Sequence, residues 1–552
     1  MTAALQQQIL ERVRSTPDQV YLSQPIDREW RQWTWAQAYD EATRLAAGLR
    51  RLGLSPGDRV GLMSKNCAHW VIADLAMILS GLVSVPIYPT ANARTIRQVL
   101  EHSEARACIV GKLEHPESQL EGIPSALAAV SMPYPDASAQ YSWEDLIARS
   151  AEDFEPHPAR ESDLATLLYT SGSTGEPKGA MHSYEAFAFV GESLAGAIGV
   201  RKGDRVLSYL PLSHCTERAY VEAGSFYGGI TLYFVESLET FAEDLAYARP
   251  TLFGSVPRLW KKFQLGILEK VPPSKLNRLL SIPLLAWLIR NKIKRELGLD
   301  KAGWFASGSA PIAPVLLEWW DRLGVTICEG WGMTETFAYG TSSGRGQTPR
   351  FGTIGKALPR VELKTTAADE LLIRCPCMMQ GYYKDSRLTE ESFIDGFFRT
   401  GDRVFIDDEG WVKITGRVKE VFKTTKGKYI APVPLESELA KNELIEQACL
   451  VGEHLDQPVA LVQLAEQVDL SMRELRSRLV ETLERVNREL EPHQRMARII
   501  VIRERWTIDN ELLTPTLKIR RDSIEKRYRP VIEQAEGQVH VEAGSPASQL
   551  KS

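Results

Sequence analysis

The stretch Leu168-Tyr169-Thr170-Ser171-Gly172-Ser173-Thr174-Gly175-Glu176-Pro177-Lys178-Gly179 decides how the rest of the chain is read. It sets three glycines, four aliphatic hydroxyls and one lysine directly after the apolar run Leu164 to Leu168. Glycines let successive amides turn toward one point, hydroxyls add donors and the lysine adds a mobile cation, a combination that fits around a polyphosphate. A Walker loop carries its lysine immediately after the second glycine, whereas Glu176 and Pro177 precede Lys178 here. The stretch therefore reads as a phosphate loop of another kind.

On either side of the loop, helical and strand-like stretches alternate. Trp35 to Arg51 has helical spacing, Gly57-Asp58-Arg59 turns into a strand from Val60 to Met63, and the apolar run Val71 to Val85 reads as a core helix entering a strand despite Asp74. Helix Tyr184 to Ile198 and strand Val206 to Leu210 follow the loop, and the tract Glu114 to Asp136 is expected to be a surface connection. Such alternation implies parallel strands with helical crossovers, an α/β fold with a large doubly wound N-terminal body. From about residue 350 to 417 the strands become short and turn-separated (Glu370 to Arg374, Phe397 to Thr400, Val404 to Ile406, Trp411 to Ile414), a β-rich subdomain that completes a body of residues 1–417. Ser471-Met472-Arg473-Glu474 is a capping box for a helix in a small mobile α+β domain, residues 418–536. A disordered tail is expected over 537–552.

The bulk properties narrow the class. A net charge of −5 over 552 residues, with the basic residues dispersed, shows no nucleic-acid footprint. Seven scattered cysteines and an opening without a basic, apolar leader lead to the expectation of a reducing cytoplasm. No stretch reaches the roughly 20 apolar residues of a spanning helix. Leu279 to Ile289, flanked by Arg278 and Arg290, reads as a packed helix interrupted by Pro283, as a contact with a membrane surface or as the cover of an apolar ligand tunnel, so the inner face of a membrane stays open as a peripheral location. Cys375-Pro376-Cys377 lacks a second pair or nearby histidines and reads as structural thiols.

Further along, Glu329-Gly330-Trp331-Gly332-Met333-Thr334-Glu335-Thr336 sets an indole, a hydroxyl and a carboxylate within five residues. Such a set suits a base, a phosphate and a hard cation. With the loop, this segment resembles the adenylate-forming superfamily of acyl-CoA synthetases, peptide-synthetase adenylation domains and luciferases, from about Trp33 to Arg529. Gly308-Ser309-Ala310-Pro311 resembles the adenine-side turn, Phe398-Arg399-Thr400-Gly401-Asp402 the ribose turn, Gly416-Arg417-Val418-Lys419-Glu420 the hinge, and Leu513-Thr514-Pro515-Thr516-Leu517-Lys518 the mobile catalytic-lysine segment. Gly-Asp-Arg-Val occurs at Gly57, Gly203 and Gly401, and only the third copy has the flanking Arg399-Thr400 and Gly416-Arg417.

The resemblance implies a nucleotide site of Thr170, Ser171, Gly172, Ser173, Thr174, Gly175, Lys178, Ser309, Ala310, Glu329, Gly330, Trp331, Gly332, Thr334, Asp402, Arg417 and Lys518. Thr170 and Glu335 are the expected Mg2+ ligands; Lys518, Glu335, Lys178 and His214 are the expected catalytic residues. It further implies ATP and coenzyme A as co-substrates, a fatty acid as acyl donor, and rotation of the small domain about Lys419 between adenylation and thioester formation. Lys423, Lys426 and Gly427 fall in the thiol channel, where long-chain synthetases commonly show a glycine in place of Lys426. A side chain there would narrow the channel or add a cation for the thiol donor.

The motifs around Pro211-Leu212-Ser213-His214 and Ser255-Val256-Pro257-Arg258 look like those of long-chain fatty acid synthetases, and no Phe-Asp-x-Ser stretch for an amino acid lies between Pro211 and Phe241. His214 is expected to orient the carboxylate or close the pocket wall, and Trp260 to gate an acyl tunnel or to be plain core. A carrier-protein thiol, medium-chain or aryl acids, a non-catalytic nucleotide-binding role and a homodimer remain open alternatives.

Overall fold

The computed structural model describes residues 3–134, 139–149, 154–171, 177–418, 420–425, 428–453, 455–465, 470–508, 510–514 and 518–542, with Ser171 described in its backbone only. The expectations at Gly172, Ser173, Thr174, Gly175, Lys419, Lys426 and Gly427 lie outside the described residues.

An eight-stranded sheet forms the first layer of the body. Its order runs Gly381–Tyr382, Pro177–Ser183, Leu164–Ser171, Val83–Ile87, Arg59–Met63, Ala107–Val110, Ala128–Ser131, Tyr141–Ser142. The strands from Leu164–Ser171 onward are parallel, while Pro177–Ser183 returns antiparallel beside Leu164–Ser171. Side chains alternate across it: Ala107 and Ile109 join the core around helix Ala68–Ser80, and Cys108 and Val110 join the one around Ile96, Val99 and Leu100 of helix Ala93–His102. Burial on both faces by crossover helices is what the near-continuous apolar runs require. Every residue of Ala68–Ser80 is buried, Asp74 included. Arg218 Nη2 donates to Asp74 Oδ2 at 2.8 Å, with Glu222 3.6 Å from Arg218 Nε, all at 0% side-chain exposure.

A second sheet orders Arg205–Ser208, Thr231–Phe234, Val20–Ile26, Glu29–Thr34, and a third orders Leu252–Ser255, Trp304–Ser307, Ile327–Trp331, Thr341–Ser342, Lys356–Ala357. The β-rich subdomain pairs Glu362–Thr365, Glu370–Arg374, Phe397–Ile406 and Phe393–Ile394, with Val412–Arg417 alongside. In the C-terminal part, a sheet of Ile445–Val451, Val459–Leu464, Arg498–Val501 and Val539–Val541 packs against helices Met472–Arg488 and Arg521–Gln534.

Helices Trp35–Arg51 and Tyr184–Ile198 stand where their spacing placed them, and Ser471 and Glu474 form the anticipated reciprocal cap. Four expectations change. Phe397–Ile406 is one strand, because the Gly-Asp-Arg-Val turn is absorbed as a register irregularity at Arg403/Val404 with Gly401 at φ +69°. Ala128–Ser131, within the supposed surface tract, is a sheet strand. The tail begins as strand Val539–Val541, parallel to Arg498–Val501. Pro283 starts a helix, Pro283–Glu296, where its missing N–H has no intrahelical partner to lose, so the apolar stretch becomes two helices, Pro273–Leu280 and Pro283–Glu296. All seven cysteines are free and buried, and the Cys375 and Cys377 sulfurs lie 3.6 Å apart.

Candidate active site

The carboxyl ends of the parallel strands Leu252–Ser255, Trp304–Ser307 and Ile327–Trp331 open onto a cleft of about 3640 Å³, the place where open α/β sheets hold ligands. After Ser307 the chain turns through Ser309 in the left-handed region, φ +65°. Glu329 pairs with Ser307 across the ladder. Burial raises the Glu329 carboxyl to about 8, only partly countered by the amide of Gly352, so at neutral pH it is an acid rather than an anion. The backbone at Gly332 leaves no room for a side chain: a Cβ there would stand 2.3 Å from the Ala338 carbonyl oxygen.

Asp402 is fixed from two sides. The Trp331 indole N–H donates to Oδ2 at 2.9 Å and Arg417 Nε donates to Oδ1 at 2.7 Å, across a pairing that sets Asp402 opposite Arg417. Burial pulls the Arg417 pKa down, but Asp402, Glu420 and Glu335 more than offset this and raise it. The carboxylate is thus oriented while further lone pairs stay available. The other two Gly-Asp-Arg-Val copies have glycines at φ +87° and +88° leading into strands Arg59–Met63 and Arg205–Ser208. Among the described residues, the glycine and aspartate border the cleft in the third copy alone.

Glu335 sits on the short turn Thr334–Thr336, where Tyr382 OH donates to Oε1 at 2.6 Å. Burial first and then Glu335 itself push the Tyr382 phenol up, so it stays a donor. His182, lowered to about 4 by burial, is neutral and donates Nε2–H to the Thr334 carbonyl at 2.8 Å. Thr170 and Lys178 are register partners on the two strands flanking the loop, and both line the cleft.

Lys518 faces this group from the C-terminal part. It is tied to Thr514 (Thr514 N–H to Lys518 O, 2.8 Å; Lys518 N–H to Thr514 Oγ1, 3.0 Å). The side chain is open to the cleft, yet the surrounding protein and then Arg417 lower its pKa, with Asp402 and Glu335 acting in opposition. His214 lies within reach of the same ammonium: burial and then Lys518 hold its pKa down to about 4. Its Nδ1 accepts from the Thr216 amide at 3.2 Å, which places the proton of the neutral ring on Nε2. Residues 170, 178, 214, 335, 402, 417 and 518 therefore converge on one cleft from both parts of the chain.

Comparison with known proteins identifies the family. A family described as AMP-binding enzyme matches residues 9–383, and one described as AMP-binding enzyme C-terminal domain matches residues 420–539. The chain belongs to the AMP-binding enzyme family. Similar family members include the long-chain-fatty-acid–CoA ligase FadD15 of Mycobacterium bovis, 32% identical over 81% of this chain and 79% of that one. The peroxisomal long chain acyl-CoA synthetase 6 of Arabidopsis thaliana is 29% identical over 92% and 81%. Among solved structures, the anthranilate CoA ligase AuaEII in complex with anthranoyl-AMP superposes with a TM-score of 0.80 at 22% identity, covering 97% of this chain and 99% of that one. That likeness concerns the fold.

Within this AMP-binding enzyme the cleft lining includes a group of apolar side chains beside charged ones such as Arg258 and Lys261. Leu207, Tyr220, Leu252, Val256, Leu259 and Leu265 line the cleft. Trp260 does not. It is fully buried, donates Nε1–H to the Ala306 carbonyl at 3.2 Å and packs edge-on against Phe253 and Trp320, so the gate is corrected to core. Helical geometry turns Trp260 into the core while Leu259 and Lys261 border the cleft. Asn66, Tyr382 and His182 carry no motif in the sequence that marks them for the site. Asn66 Oδ1 accepts from the Leu212 amide at 2.9 Å and Nδ2 donates to Leu210 O at 2.6 Å and Ser208 Oγ at 2.8 Å, which fixes the segment leading to His214. Asn66-Cys67 just ahead of helix Ala68–Ser80 reads in sequence only as a helix start.

Proposed function

We propose that this AMP-binding enzyme activates a long-chain fatty acid with ATP and passes the acyl group to coenzyme A. The observation that carries the proposal is the convergence of Lys518, Arg417, Asp402 and Glu335 on a cleft whose lining also includes Leu207, Leu252, Val256, Leu259 and Leu265. The named activity of the curated relatives supports the same substrate class and does not favour the carrier-protein alternative.

In the first half-reaction an oxygen of the acid's carboxylate bonds to the α-phosphorus. The α–β phosphoanhydride bond breaks and pyrophosphate leaves, so no protein nucleophile is needed. Lys518 stabilises the charge that builds on the α-phosphate and carboxylate oxygens. Lys178 and the Thr170 hydroxyl hold the departing pyrophosphate. Asp402 accepts from ribose hydroxyls with Arg417 beside it, Trp331 presents its ring to the base, and Glu329 donates its proton toward the base edge. The neutral His214 donates Nε2–H to the carboxylate. In the second half-reaction the thiolate sulfur bonds to the acyl carbon, the acyl–phosphate bond breaks and AMP leaves.

The donor set fits Mg2+. Glu335, held at one oxygen by Tyr382, and the Thr170 hydroxyl are hard oxygen ligands. Bound there, the ion would partly neutralise the phosphate oxygens.

The body of 1–417 and the small domain of 418–536 act as separate bodies in this reading. Rotation about Lys419 withdraws Lys518 and brings Lys423, Lys426 and Gly427 to the thiol channel. The test is a series of acids of graded chain length, scored by coenzyme A consumed. A maximum among long chains is expected, and consumption with short or aryl acids only would overturn the substrate class.

A further inference from the structure

His214 is carried by a loop. Residues 209–214 leave the end of strand Arg205–Ser208 and lead into the short helix Cys215–Glu217. A ring on such a segment is only as well aimed as the loop that holds it. This loop is closed at its base: Ser208 Oγ donates to Glu217 Oε1 at 2.8 Å, joining the last residue of the strand to the last residue of the helix. Asn66 Nδ2 stands over the same pair, 2.8 Å from Ser208 Oγ and 3.5 Å from Glu217 Oε1, while its bonds to Leu210 and Leu212 hold the middle of the loop.

Glu217 is suited to this place by being uncharged. It is buried, and burial raises its carboxyl to about 8, with Ser208 and the Tyr209 amide opposing, so at neutral pH it keeps its proton. The next residue, Arg218, turns instead to Asp74 in the core. Two consecutive residues anchored in different directions fix the rotation of the chain at this point, and it continues as a π-helical turn over Arg218–Ala223. At the front of the same short helix, the Thr216 amide meets His214 Nδ1. The helix that Glu217 anchors is therefore the one that sets the tautomer of the His214 ring.

We infer that Glu217 is a positioning residue for activation of the acid: by holding Ser208 it closes the loop that aims His214 at the carboxylate, without itself touching the substrate. This inference rests on the fatty-acid reading of the cleft for the identity of the acid. The contact needs an acceptor and not a charge, so an amide at this position should serve as well as the acid.

The test joins acid-dependent exchange of labelled pyrophosphate into ATP with the nitrogen NMR spectrum of the histidine rings in the full chain, the His214 signals being those lost in His214→Ala. The wild type should show one neutral tautomer with the proton on Nε2. Glu217→Ala should lower kcat for exchange by roughly tenfold to 100-fold, leave the KM for ATP within about twofold, and average the two tautomers. Glu217→Gln should restore both readouts. Glu217→Ala/His214→Ala should be no slower than His214→Ala alone, as holds for a residue that acts through another. Ser208→Ala breaks the same bond from the other side with a smaller loss of volume, and should reproduce both effects if Glu217→Ala does not fold. A Glu217→Ala enzyme that melts earlier yet keeps the wild-type kcat and tautomer, a Glu217→Gln enzyme as slow as Glu217→Ala, or additive losses in the double variant would overturn the inference. A wild type that exchanges with no acid would instead overturn the fatty-acid reading, and the His214 spectrum, taken without acid or nucleotide, would still decide for or against Glu217.

Discussion

The two ends of the cleft are held together differently. At the nucleotide end several groups are fixed by named polar partners: Asp402 by Trp331 and Arg417, Glu335 by Tyr382, the Thr334 carbonyl by His182. At the acyl end the lining includes apolar side chains from separate strands and helices, such as Leu207, Leu252, Val256 and Leu265, which act through contact rather than directed bonds. Directional groups must be placed to within hydrogen-bond tolerance, whereas an apolar wall needs only volume and contact. Changes at the polar end should therefore alter the handling of ATP in large steps, and changes at the apolar end should grade the preference for chain length.

The largest effect is expected at Lys518. Lys518→Ala should slow adenylate formation by roughly 100-fold or more, as loss of a positioned charge at a developing oxyanion does. Thioester formation from supplied acyl-adenylate and coenzyme A should survive, and equal loss of both half-reactions would break the two-domain account. Asp402→Ala should come next: it removes the acceptor for ribose and strands the Arg417 guanidinium and the Trp331 N–H. The KM for ATP should rise by roughly tenfold to 100-fold with the chain-length profile unchanged.

Tyr382→Phe deletes a single 2.6 Å bond to Glu335 and should cost about 1.5 kcal/mol, or roughly tenfold in kcat/KM for ATP. Rescue of the variant by raised magnesium would mark Tyr382 as a positioning residue. Leu265→Trp, at the apolar end, should shift the preferred acid to shorter chains by a few-fold at most per methylene pair and leave the KM for ATP alone. A change in the ATP parameters would show that the two ends are not separable.

The smallest effect is one of pH. The folded pKa of Glu329, about 8, lies above its ordinary carboxyl value, so the native state holds the proton. Its contribution to stability is complete below that ordinary range and is lost as pH rises through about 8. ATP binding should weaken along the same limb as a negative charge appears in the nucleotide wall. Glu329→Gln should flatten that limb in a titration of the KM for ATP, and an unchanged limb would assign it to another group such as Lys518.

The same contrast governs what could be read in the sequence. The nucleotide end was legible because its groups come in short runs: Trp331 to Glu335, Arg399 to Asp402, Gly416-Arg417. Their partners were not. Tyr382 reaches Glu335 from strand Gly381–Tyr382, which joins the far edge of a sheet started more than three hundred residues earlier, at Arg59–Met63. Asn66 fixes the segment before His214 from 146 positions away. Trp260 was ambiguous for a related reason: its neighbours on helix Pro257–Lys270 do border the cleft, and one helical step separates wall from core. Strands Ala128–Ser131 and Val539–Val541 were missed because their few residues carry little pattern, and pairing with Ala107–Val110 and Arg498–Val501 makes them strands.

The central claim is that one cleft joins a carboxylate to the α-phosphate of ATP under Lys518. Exchange of labelled pyrophosphate into ATP, followed with and without a long-chain acid and in the absence of coenzyme A, tests it most directly. The account predicts exchange that depends on the acid and falls when coenzyme A drains the adenylate to thioester. ATP bound without exchange, whatever acid is supplied, would contradict it.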